Sequence, residues 1–129
     1  MTVDLVVDAA NVVGSRPDGW WRDRAGATGR LLAALGDLSG RTVRTPDGED
    51  VAVQQVVVVL EGAARDAAAP EGVVVRRARR SGDDEIVGVA SELGGDGVLV
   101  VTSDRGLRAR LPDGARVAGA AWLRGLVGY

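Results

Sequence analysis

The sequence predicts an α/β domain, three-layered, with helices covering both faces of a mainly parallel, roughly five-stranded sheet. Two observations carry that prediction. Short, nearly continuous apolar runs such as "LVV" near the start, "VVVVL" and "GVLVV" are the kind that parallel strands buried on both faces require. Between them lie segments whose apolar residues recur at three- and four-residue steps, the period of a helix with one buried side.

Taken in order, Val3, Leu5, Val6 and Val7 predict the first strand, and no helix is expected to begin directly after it. Trp20, Ala27, Leu31, Ala34, Leu35 and Leu38 predict a helix over 20–38, with Gly26, Gly29 and Gly36 weakening its regularity. The Pro-Asp-Gly of "GRTVRTPDGED" is a turn signal, and "VAVQQVVVVLEG" is a β-branched second strand ending near Glu61. Residues 63–72 form a short helix or loop stopped by Pro70, before a third strand over Val73 to Ala78. Ile86, Val89, Ala90 and Leu93 define one face of a helix starting near Asp83. A fourth strand, "GVLVVTSD", ends at Asp104, a short helix carries Leu107 and Leu111, "ARVAGA" is a fifth strand, and "AWLRGL" a closing helical turn.

Composition narrows the chemistry. The 129 residues suit a single domain spanning 1–129, and 46% hydrophobic against 26% charged residues is globular rather than disordered composition. There is no His and no Cys, and all 16 basic residues are Arg. Thiolate nucleophiles, Ser-His-Asp triads, disulfides and the usual zinc sites are thereby excluded, and any metal must take oxygen ligands. No signal peptide is recognisable and no window approaches the ~20 apolar residues of a membrane span, so a cytoplasmic location without membrane contact is expected. A net charge of -2 means that polyanion contacts must come from local arginine clusters.

The acids fall where such a fold places ligands. Asp8 follows the first strand, Glu61 the second, Asp83 and Asp84 open a helix, and Asp104 follows the fourth strand, all on the carboxyl edge of a parallel sheet. Each has a structural explanation: Asp83 and Asp104 as helix caps, Glu61 as a turn residue. Together they would repel one another unless a divalent cation neutralised them, and Mg²⁺ or Mn²⁺ suits an all-oxygen carboxylate site. Such an ion supports phosphodiester hydrolysis without histidine.

"VVDAANVV", "SGDDEIVGVA" and "VVTSDRGLR", in this order, resemble the three acidic motifs of the NYN domains, a branch of the PIN-like nuclease superfamily. The similarity runs from Val3 to about Leu111. It implies a PIN-like three-layer fold and metal-dependent hydrolysis of RNA. By that resemblance Asp8, Asp83 and Asp104 are the catalytic metal ligands, Asp84 neighbours and substitutes for Asp83, and Asn11 accompanies Asp8. Thr102 or Ser103 would orient metal-bound water or phosphate. Ala9 stands where the family often has Gly, and Glu61 matches no motif, entering only as a further metal ligand suggested by position.

Substrate contacts are read from the residues themselves. Within "RRARR", Arg79 and Arg80 lead towards Asp83 and suit backbone phosphates, and Arg22, Arg24 and Arg105 lie close in sequence to the acids. Trp20 fits the helical pattern and is expected in the core, leaving Trp21 as the exposed platform for an unpaired base. RNA is the expected partner, with a homodimer or protein partner left open. A haloacid-dehalogenase-type phosphohydrolase is disfavoured by Ala10, where it needs an acid, and by the absence of Lys, which also counts against a receiver domain. A PIN-like module that binds RNA or protein without cutting, and a small PIN-type toxin ribonuclease, remain as alternatives.

Overall fold

The computed structural model describes residues 1–64 and 67–129. Six strands, β1 (Thr2–Asp8), β2 (Thr42–Arg44), β3 (Asp50–Leu60), β4 (Val74–Arg77), β5 (Val98–Val101) and β6 (Arg116–Ala118), form one sheet. Among the described residues five helices accompany them: α1 (Ala9–Gly14), α2 (Arg24–Leu35), α3 (Gly82–Glu92), α4 (Arg105–Arg110) and α5 (Ala120–Val127). The sheet runs β2-β3-β1-β5-β6, with β4 also pairing β3. All pairs are parallel except β2 with β3. Strand β2, which the turn signal alone had not announced, pairs with the first residues of β3 and β4 with its last ones, so the two short strands share its outer edge.

Strand alternation assigns the two faces. Val3, Leu5 and Val7 point into a core with Val12 and Val13 of α1, Leu31, Leu32 and Leu35 of α2, and Leu123 of α5. Val6, Val57, Val59, Val98 and Val100 face Ile86, Val89 and Ala90 of α3 and Leu107 of α4. Each such side chain contributes roughly 1.5–3 kcal/mol on full burial, and this division between the faces makes the fold three-layered.

Two expected elements differ. A helix does follow β1 directly, because the Asp8 carboxylate accepts the Asn11 N–H at 3.3 Å and so caps α1. The helix expected over 20–38 starts only at Arg24, where Asp23 takes a non-helical conformation and accepts the Gly26 N–H at 2.9 Å. Trp20–Arg22 form a separate 3-10 turn entered through Gly19, whose φ of 76° favours glycine. Of the segment expected as a short helix or loop over 63–72, Gly62–Ala64 form a 3-10 turn, while 65 and 66 lie outside the described residues.

Candidate functional site

The chain passes from β1 to β3 on one side and later to β5 on the other, so β1 lies at the switch point of the sheet, where the carboxyl edge opens a crevice. Asp8 ends β1. The register that pairs Val7 with Val101 sets Thr102 beside Asp8, and the one that pairs Asp8 with Val59 sets Glu61 two residues beyond its other neighbour. Because side chains alternate, Asp8, Glu61 and Thr102 continue the face lined by Val6, Val57, Val59 and Val100, the face covered by α3. That period-two pattern is the signal that assigns Glu61 to the same face as Asp8.

Asp8 is buried, and its position is held by two donors. The Thr102 hydroxyl donates to Oδ2 at 2.9 Å, while Oδ1 takes the Asn11 N–H. Thr102 also accepts the Asp104 N–H at 3.1 Å, so one hydroxyl joins both acids. Asp104 in turn caps α4 through the Leu107 N–H at 3.1 Å. The cap of α3 is Ser81 rather than Asp83: its Oγ accepts the Asp84 N–H, which leaves Asp83 in the first turn as an uncommitted acid. Glu61 reaches the same helix end and accepts the Gly82 N–H at 2.5 Å.

Electrostatics tie these acids together. Burial raises the Asp8 carboxyl from 3.8 to about 6, against the hydrogen bonds from Thr102 and Asn11, and the charges of Asp83 and Glu61 push it the same way. Asp83 is also raised, first by burial and then by Asp104 and Glu61, with Arg110 opposing. The four acids therefore share one field, with Asp83 linking Asp8 to Asp104. Among the described residues, however, no three acidic side chains are gathered closely enough to form a ready-made metal-ligand group.

Other expected residues have different places. Asp84 stands apart from the other acids: its charge adds to those that raise Asp83, but it is exposed and held by Arg110 at 2.6 Å, and that bond lowers its own carboxyl. Thr102 is fully buried, so it positions two acids and cannot meet phosphate. Ser103 accepts the Ala120 N–H at 3.0 Å and donates its own N–H to Asn11 Oδ1 at 2.8 Å, so Ser103 and Asn11 brace the β5 end against α5 and α1. Arg22, Arg79, Arg80 and Arg105 are exposed. Trp21 is 59% exposed, as expected, whereas Trp20 is half-buried against the core and lines a cavity of about 310 Å³ beside Glu61.

Gly82 was not singled out by sequence, yet the site depends on it. A Cβ there would stand 2.9 Å from the Glu61 carboxylate, closer than atoms pack. Gly82→Ala is expected to displace Glu61 and, by removing its charge, to lower the carboxyl pKa values of Asp8 and Asp83 in a carbon-detected NMR titration. Unchanged titrations would show that Glu61 exerts no influence there.

No protein-family model matches the chain, and no curated protein matches it either. Among solved structures, a mutant form of Rae1 (YacP) from Bacillus subtilis is similar, with a TM-score of 0.68 at 20% identity, over 98% of this chain and 75% of that one. At this identity the likeness concerns the fold, and it extends over nearly the whole α/β arrangement.

Proposed function

We propose that the chain is a divalent-metal-dependent ribonuclease of the NYN type. The observation that carries this reading is the convergence of Asp8, Glu61, Asp83 and Asp104 on one end and one face of the sheet, where burial raises Asp8 and Asp83 and the neighbouring acids add to it. The donor set is wholly oxygen, which fits Mg²⁺ or Mn²⁺, and a cation would relieve the repulsion. Asp8, Asp83 and Asp104 would hold it, with Glu61 as a further ligand. When bound, such an ion supplies activated water and charge stabilisation for phosphodiester hydrolysis.

The chain's own residues orient and charge the site. Thr102 fixes the Asp8 carboxylate, the cap on Leu107 fixes Asp104, and Arg110 draws Asp84 away from Asp83. Arg79 and Arg80, exposed at the end of β4, supply charge for the RNA backbone. The order of the three acidic motifs supports RNA as the substrate. No helix among the described residues is long and apolar enough to cross a membrane.

The test is calorimetric binding of Mg²⁺ and Mn²⁺, followed by cleavage of structured and unstructured RNA. Asp83→Asn and Asp104→Asn are each expected to slow cleavage by roughly a hundredfold or more. The reading fails if the pure protein neither binds metal nor cuts RNA, or if Asp104→Asn cuts as well as wild type. Binding of RNA without metal uptake or cleavage would favour the non-catalytic module.

A further inference from the structure

Beside Glu61, on the far side from α3, lies the cavity of about 310 Å³, walled by Ala10 and Val13 of α1, Arg24 and Thr28 of α2, Trp20, and Arg80. This is the lower end of the roughly 300–1,000 Å³ of ligand pockets, room for one small planar group. The Arg24 guanidinium lies 5.2 Å from the Trp20 ring centroid, so one wall is a cation resting on an indole. Flat cationic and aromatic surfaces of this kind stack on nucleobases whatever their identity.

Charge leads from the cavity along the surface. Arg80 lines both it and a groove of about 630 Å³ that also contains Arg77 and Arg79. In that groove Arg76 is already taken by Glu85 and Glu92 at 2.7 and 3.0 Å, whereas among the described residues Arg24, Arg79 and Arg80 form no ion pair. Guanidinium groups free of such pairs, lining a base-sized cavity beside Glu61 and the groove that adjoins it through Arg80, match a phosphate backbone that carries one base inward.

We propose that this cavity is a nucleobase subsite, with one unpaired base of the RNA stacked on the Arg24–Trp20 wall and an adjacent phosphate on Arg80. The proposal rests on the ribonuclease reading and deepens it by naming where one base of the substrate is held. A base stacked inside a duplex cannot enter such a cavity without leaving its partner, which costs a duplex affinity that a single strand keeps.

The experiment measures fluorescence anisotropy of a short labelled oligoribonucleotide with the Asp104→Asn protein, without divalent ions, so that affinity is read apart from cleavage. Added to that background, Arg24→Ala and Trp20→Leu are each expected to weaken binding about tenfold, and the oligonucleotide annealed to its complement to bind at least about tenfold more weakly than the single strand. Arg24 is exposed, so its variant tests the cavity even if Trp20→Leu, half-buried against the core, fails to fold. Unchanged affinity in Arg24→Ala, or equal affinity for duplex and single strand, overturns the proposal. Those outcomes overturn the subsite even if wild type cuts RNA, and the expected differences uphold it even if wild type cuts none.

Discussion

Asp8→Asn is expected to abolish metal-dependent RNA cleavage and, in the same protein, to raise the stability of the metal-free fold at neutral pH by about 1 to 2 kcal/mol. The sign follows from burial. Asp8 titrates at about 6 in the folded chain and near 3.8 when unfolded, so between those values the native state holds a proton that the unfolded state has released. Stability therefore falls as pH rises through that window. Well below pH 3.8 both states are protonated and the penalty is absent, and by pH 4 most of it is already gone. At pH 7 it is fully developed, at most ~1.4 kcal/mol for each pH unit separating the folded and unfolded values, and solvent screening reduces it. Asparagine never ionises and caps a helix as well as aspartate does. Urea unfolding at pH 4 and pH 7.5 checks this: the stabilisation should be present at the higher pH and largely gone at the lower. Millimolar Mg²⁺ or Mn²⁺ should stabilise wild type and leave the variant unmoved. A variant less stable than wild type at pH 7.5 would show that Asp8 serves the fold rather than the site.

Thr102→Val has the second largest expected effect. Valine keeps the shape but removes the hydroxyl, leaving Asp8 Oδ2 without its donor and the Asp104 N–H without its acceptor. Unpaired buried polar groups cost roughly 1–3 kcal/mol, and a stability loss of that size is expected. The Asp8 carboxyl, no longer favoured in its charged form by this hydrogen bond, should rise further above about 6. Thr102→Ser, which retains the hydroxyl, should titrate nearly as wild type does. A valine variant whose Asp8 titrates as in wild type would remove Thr102 from the site.

Much of this arrangement was legible in the sequence. Apolar runs and helical periods placed the parallel strands and the major helices, and Asp8, Asp83 and Asp104 could be assigned to one edge because strand ends in a parallel sheet lie together. The rest depended on contacts that no local pattern encodes. The cap of α1 combines an aspartate with an otherwise unremarkable "AANVVG", too short for a visible period. The 3-10 turn at Trp20–Arg22 continues the apolar spacing of α2 without belonging to it, which is why Trp20 packs against the core as expected and yet also walls a cavity. Asp84 and Asp83 are indistinguishable in sequence. Only the neighbouring helix, which brings Arg110 to one of them, separates the two roles.

The register between β1 and β5 also bears on how the protein comes into being. Asp8 and the hydroxyl that orients it are 94 residues apart in the chain, and β1 has no partner on that side until Val98–Val101 arrive. Pairing so remote in sequence carries a large loop-closure cost and marks a slow topology. A growing chain can therefore present Asp8 long before it can orient it. Competence of the acid cluster arrives with the last quarter of the polypeptide, after the arginines of 76–80 have already emerged, so a growing chain carries that positive charge before its acids are set in place.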